Sequence, residues 1–262
     1  MTAASRETRA HFDERAREYY ERNYEQPRNR HAQNLYLRRV ACLSMLPPIE
    51  GAILDHGCGP GAMTFPLLER GQRVVSMDLS REMLGQLVAR AEATGLAAAP
   101  VMGSATALPF ATGTFGAVVS TGVLEYVSDL PRALLEIHRV LVPGGIVLAT
   151  MSLPRKLERW AARVASRIRG ASETPQFIRD RRSFDSAVRT AGFEIESTRC
   201  VGFAPFPLDV IWPSSVRWLD EQFGQRLDES ETARDQAKTY IVLARRNVSA
   251  VRTSGSLCDR SA

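Results

Sequence analysis

The chain has 262 residues, 44% hydrophobic and 24% charged, with 34 Lys+Arg against 29 Asp+Glu for a formal net charge of +5. This is the balance of a globular chain, not of a disordered or a membrane-embedded one, and the length suits one α/β domain with insertions. No apolar run reaches the roughly 18 residues of a membrane span, and the polar stretch 1–17 lacks the features of a secretory leader, so a cytoplasmic location is expected.

Two helices are predicted first, over 7–22 and 31–45, the second ended by Pro47-Pro48. A short buried strand at 52–55 leads into a glycine-rich turn. A helix over 63–70 then stops at Gly71, and a second strand covers 73–77. Ser80 is an N-cap for a helix running to Thr94, with Gly95 as its stop. Strands at 97–102 and 115–120, a helix over 130–141, a turn at Pro143-Gly144-Gly145 and a strand at 146–151 continue the alternation. Such alternation predicts a parallel sheet covered by helices on both faces.

After residue 151 the rhythm loosens. An inserted helical segment is predicted over 153–182, a helix over 183–191, a strand at 193–201, a partly helical excursion over 204–236 and a last strand at 239–244. The Ser-rich tail 247–262 is expected to be disordered. The stretch 155–199 holds eleven Lys/Arg against six Asp/Glu. Within it Leu157, Trp160, Ala161, Val164, Ala165 and Ile168 recur at helical spacing among basic residues. The pattern predicts a basic amphipathic helix over 155–169, serving either as a lid or as a peripheral membrane contact. Cys42, Cys58, Cys200 and Cys258 lie far apart, and the four histidines follow no ligand spacing, so neither a disulfide framework nor a metal site is expected.

The chemistry concentrates in Asp55-His56-Gly57-Cys58-Gly59-Pro60-Gly61-Ala62, placed between a strand and a helix. Glycines there let a ligand approach the backbone. Asp78, at the end of the next strand, can accept hydrogen bonds from both hydroxyls of a ribose. An adenosine cofactor on a Rossmann-like sheet follows. The same residues fit G-x-G-x-x-A, the dinucleotide fingerprint of an NAD(P)-dependent oxidoreductase. Against that, Pro60 removes a donor that a pyrophosphate would use, and Asp55 adds a negative charge nearby.

Ile53 to Gly61 resembles motif I of class I S-adenosylmethionine-dependent methyltransferases. Val75 to Ser80 is similar to that family's ribose-binding strand end. Ala107-Leu108-Pro109-Phe110 with Phe115 to Val119, and Glu136 to Gly145, resemble its later segments, so the match covers about 50–152. Phe12-Asp13-x-x-Ala16-x-x-Tyr19 resembles the opening of ubiquinone/menaquinone and biotin-pathway methyltransferases, where the segment folds over the cofactor. The resemblance implies a Rossmann-like doubly wound α/β sheet, mostly parallel with an antiparallel last strand. It implies one methyltransferase domain over 1–246, with a helical cap at 1–48, a cofactor-binding core at 49–152 and insertions at 153–182 and 204–236.

The implied cofactor is S-adenosyl-L-methionine, held by Tyr19, Asp55, His56, Gly57, Cys58, Gly59, Gly61, Asp78, Leu79, Ser104, Ala105 and Thr121. Glu125, Tyr19, His11 and His31 are candidates by position for a catalytic base. The sequence departs from the family at Ser104 and at Gly116, where Asp is usual, and at Glu125, where many relatives carry His. The implied partner is a small-molecule or lipid-linked acceptor, methylated on oxygen, carbon or nitrogen, with no nucleic acid. A non-catalytic S-adenosylmethionine-binding module stands as a further alternative.

Overall fold

The computed structural model describes residues 3–21, 29–153, 176–205 and 208–247. Seven strands form its sheet: β1 (Ala52–His56), β2 (Arg73–Asp78), β3 (Ala99–Met102), β4 (Phe115–Ser120), β5 (Leu141–Ser152), β6 (Phe193–Val201) and β7 (Thr239–Arg246). Their order is β3-β2-β1-β4-β5-β7-β6. The first five run parallel, and β7 lies antiparallel to both β5 and β6. Strand order reverses between β1 and β4, so the crevice at the carboxyl edge opens there, where α/β sheets bind their ligands.

The two-residue period of the strands sorts the core into two layers. Leu54, Val118 and Val147 pack with Leu134 and Ile137 of helix α5 (Leu130–Val140) and with Phe184 and Val188 of α6 (Arg181–Thr190). Ile53, Ala117, Val119 and Leu148 face the other way, onto Leu37 and Ala41 of α2 (Arg30–Met45) and Val216 of α8 (Ser215–Glu229). Each fully buried side chain of this size contributes about 1.5–3 kcal/mol, which fixes the register of every strand against the helices. The remaining helices are α1 (Ala3–Tyr20), α3 (Thr64–Glu69), α4 (Arg81–Thr94), α7 (Leu208–Ile211) and α9 (Glu231–Arg234).

Local chemistry sets the ends of these elements. Ser80 caps α4 by accepting from the Met83 N–H, and Gly95 ends it in the left-handed conformation at φ 69°. Asp180 caps α6 by accepting from the Ser183 N–H, so that helix begins two residues before the predicted start. The predicted turn at Pro143-Gly144-Gly145 needs correction, because β5 starts at Leu141 directly after α5. Leu141 pairs with Phe115 and Ile146 with Ala117, so the intervening residues bulge out of a continuing strand. The departure at Gly116 has a steric cause, since a Cβ there would run into the carbonyl of Glu50.

The predicted amphipathic helix 155–169 lies outside the described residues, as does the tail beyond residue 247. Among the described residues no helix is long and apolar enough to cross a membrane.

Candidate active site

The turn after β1 spends its own hydrogen-bond donors. The N–H groups of Gly57 and Cys58 both donate to the Met77 carbonyl, at 2.7 and 2.9 Å. Gly59 N–H donates to Asp78 Oδ2 at 2.8 Å, Gly61 N–H to the Cys58 carbonyl at 3.0 Å, and Pro60 has no N–H. A pyrophosphate needs such donors free at a helix N-terminus, and residues 57–61 offer none. Gly59 sits at φ 52° with open space where a Cβ would project, and it lines the pocket. At Gly61, with φ 90°, a Cβ would instead strike Phe65 and Leu87. That glycine serves helix packing and stays out of the pocket wall.

The pocket, of about 280 Å³, runs along the carboxyl edge of the sheet. Its wall includes Tyr19, Arg38, Gly57, Gly122 and Val123, with the Arg38 guanidinium across Gly122 and Val123 against Gly57; Asp78 and Leu79 follow from β2, and Ser104, Ala105, Thr106 and Arg132 join them, Arg132 donating to the Thr106 carbonyl. Of the residues singled out from sequence as cofactor contacts, Tyr19, His56, Gly57, Cys58, Gly59, Asp78, Leu79, Ser104, Ala105 and Thr121 lie in this wall, whereas Asp55 and Gly61 do not. Asp55 is buried beneath the turn, where Thr64 Oγ1 donates to its Oδ2 at 2.6 Å and also meets Ser76 Oγ at 2.9 Å. Burial pushes the Asp55 carboxyl up to about 7, against the Thr64 hydrogen bond.

Asp78 receives Gly59 N–H on one oxygen and Ser80 N–H on the other, at 2.8 and 2.9 Å. Burial raises its pKa, and these backbone donors oppose the rise. Each carboxylate oxygen keeps a second acceptor position, so the residue can still take a pair of hydroxyls from the pocket. His56 bonds Ser120 Oγ through Nδ1 at 2.9 Å, and burial lowers its pKa to about 4, so the ring is neutral at physiological pH.

The N-terminal motif folds across this wall. Phe12 lines the pocket and packs edge-on against Tyr126, with ring centroids 5.2 Å apart. Asp13 accepts from the Ser80 hydroxyl at 2.6 Å, Ala16 is buried, and Tyr19 reaches the pocket. The later motif segments act as a brace. Glu136 accepts from Leu108 N–H, while Arg139 donates to the Leu108 and Phe110 carbonyls. Together they hold the strip that follows Ser104.

The four base candidates separate. His11 and His31 stand outside the pocket wall, His11 edge-on to Phe12 and His31 exposed beside Tyr19. Tyr19 lines the wall, but burial raises its pKa, which keeps the phenol protonated. Glu125 is 3% exposed, takes a hydrogen bond from Ser152 Oγ at 2.9 Å, and is not itself in the wall. Sequence reasoning missed Arg38, Tyr126 and Arg132 in the wall. For Arg38 one signal existed: it falls four residues from both Asn34 and Cys42, two buried positions of α2, so a cation interrupts the helix's buried stripe. No group of three or more His, Cys, Asp or Glu among the described residues is placed to hold a metal ion.

The family model described as a methyltransferase domain matches residues 54–149. The chain is 30% identical over 183 residues to a ubiquinone biosynthesis O-methyltransferase of Rhizobium johnstonii, covering 65% of this chain and 73% of that protein. It is 38% identical over 115 residues to a malonyl-[acyl-carrier protein] O-methyltransferase of Pseudescherichia vulneris, covering 42% of this chain and 44% of the relative. The chain spans about half the length of the malonyl-[acyl-carrier protein] O-methyltransferases it matches. A solved SAM-dependent methyltransferase from Thermotoga maritima shares the fold, with a TM-score of 0.63 at 16% identity over 93% of this chain and 100% of that one.

Proposed function

The chain belongs to the family of S-adenosylmethionine-dependent methyltransferases, and from that premise we propose that it moves the donor's methyl group to an oxygen, carbon or nitrogen of a small-molecule or carrier- or lipid-linked acceptor. One observation carries the reading. In the turn beside Asp78, residues 57–61 have no N–H left for a phosphate, yet Gly57 and Gly59 line the pocket. That combination suits a nucleoside that carries cations and no phosphate, and it disfavours a nicotinamide dinucleotide.

The pocket's charges fit the donor. Arg38 offers a guanidinium for a carboxylate beside Gly122. Asp78 offers acceptors for ribose hydroxyls, and Ser104 a hydroxyl for the adenine. When bound, the donor supplies an electrophilic methyl group on a sulfonium. The chain's own part would be to hold the donor along the carboxyl edge of the sheet, exclude water under α1, and align the acceptor with it.

The relatives' names support an oxygen acceptor, with malonyl-carrier and ubiquinone-precursor chemistry as the classes to try first. Cys42, Cys58 and Cys200 are free, in keeping with a reducing cytoplasm. The reading is tested by supplying methyl-labelled donor with a panel of carboxylic, phenolic and carrier-linked acceptors. Label should appear in at least one product with the wild type, and should be abolished by the Gly59→Val substitution.

A further inference from the structure

Among the described residues an apolar patch lies outside the pocket, on α7, α8 and the adjoining face of α2. Val40, Leu208, Ile211, Trp212, Trp218 and Phe223 are all exposed there, Ile211 by 79%. Trp212 and Trp218 stack with ring centroids 6.1 Å apart, and Phe223 meets Trp218 edge-on at 6.0 Å. Phe223 and Val40 share a groove between α8 and α2. Tryptophan is highly buried on average, and a contiguous exposed apolar patch marks an interaction surface.

Topology places this patch beside the pocket's own edge of the sheet. β7 lies antiparallel to both β5 and β6, so β6 runs in the same direction as β1 to β5. It therefore ends, at Val201, on the carboxyl edge, and α7 follows from there. Asp220 of α8 accepts from the Gly202 and Phe203 N–H groups at 2.9 and 3.1 Å, which ties α8 to that edge.

Charge selects the occupant. Arg217 and Arg39 border the aromatics, both over the Tyr36 ring at 4.6 and 5.6 Å from its centroid. α2 carries Arg30, Arg38 and Arg39 and no Asp or Glu. The acids of α7 and α8 are turned inward or paired. Asp209 is buried, Asp220 and Asp228 accept from backbone N–H groups at the end of β6, and Glu221 accepts from Arg217 Nε. Glu229 stands at the far end of α8, beyond the exposed Arg226. A two-fold contact between copies would set these cations against themselves. An anionic lipid surface complements them, and indoles ringed by guanidiniums suit the headgroup boundary.

We propose that residues 208–223, with the adjoining face of α2, dock the protein on an anionic membrane surface. Docking there sets the carboxyl edge of the sheet toward the lipid and needs neither donor nor acceptor bound.

Flotation of the full chain with vesicles of phosphatidylcholine alone, and of phosphatidylcholine with phosphatidylglycerol, tests this. The wild type should float with the anionic vesicles at low salt, less with the neutral ones, and less again as salt is added. Trp212→Ser with Trp218→Ser should weaken the association by about tenfold or more. Arg39→Gln with Arg217→Gln should weaken it by about fivefold for each charge. Circular dichroism melting reports that each variant is folded; if the tryptophan pair fails to fold, Ile211→Ser, at the most exposed of these side chains, takes its place. Absence of flotation with anionic vesicles overturns the proposal, as does equal binding to both vesicles. Undiminished binding by folded variants overturns it too, and loss on Trp160→Ser in their place moves the contact to residues 155–169. A concentration-dependent dimer in sedimentation, abolished by Trp212→Ser, would assign the patch to a second copy and reject the lipid.

Discussion

Ser80 donates its hydroxyl to Asp13 across 67 positions of sequence, at 2.6 Å, while the same oxygen accepts from Met83 N–H to cap α4. One hydroxyl thus closes a helix and latches α1 over the wall that contains Asp78. Asp13→Ala removes the contacts with Ser80, Arg9 and the Glu82 N–H; the bond to the carboxylate is worth about 1.5–3 kcal/mol, so the fold should stay in place with a lowered melting temperature. The same change should weaken donor binding severalfold, and Asp13→Asn should recover part of it. Equilibrium dialysis of the three proteins checks this; equal affinity in all of them would show that α1 packs without covering the donor.

Asp78 holds Gly59 N–H and faces the pocket from the end of β2. Asp78→Ala should weaken S-adenosylmethionine by about tenfold to a hundredfold, because a charged acceptor for two hydroxyls is lost. An unchanged dissociation constant would contradict the ribose assignment.

Gly59 combines φ 52° with a position in the pocket wall. Gly59→Val places a branched side chain in the left-handed region and in the donor's space. The expected product is a folded protein with a lowered melting temperature and no detectable donor binding, read by circular dichroism and calorimetry together.

Asp55 titrates from inside the core. Its folded pKa is raised from 3.8 to about 7 by burial, so the native state holds its proton more tightly than the unfolded chain does. The resulting stability is fully present below the unfolded pKa and is lost as pH rises through about 7. Asp55→Asn should flatten the fall in melting temperature between pH 4 and 8, a range on the order of the two pKa values. A wild-type melting temperature that does not decline across that range would show that Thr64 keeps the carboxylate ionised.

The parts of the fold legible in sequence are those decided locally. The ends of Phe115–Ser120 and Phe193–Val201 are legible because glycines bracket both strands, Gly113 and Gly122 around the first and Gly192 and Gly202 around the second. The start and stop of α4 followed from Ser80 and Gly95. The bulge in β5 was not legible, since it depends on how Leu141 pairs with Phe115 and on the Glu50 carbonyl that excludes a side chain at Gly116. In the site, Asp78 and the glycines announce themselves by spacing. Asp55 does not reveal which way it points, because the choice between ligand and Thr64 is made by the packing of α3 on β2. Arg38 was hidden for the same reason. Its guanidinium reaches the pocket only through the docking of α2 on the sheet.

The central claim is that the pocket takes a phosphate-free cationic nucleoside. Paired calorimetric titrations of the wild-type chain with S-adenosylmethionine and with NAD test it most directly. Saturable one-to-one binding of S-adenosylmethionine with no heat from NAD is the predicted result. Binding of NAD with none of S-adenosylmethionine would contradict the account.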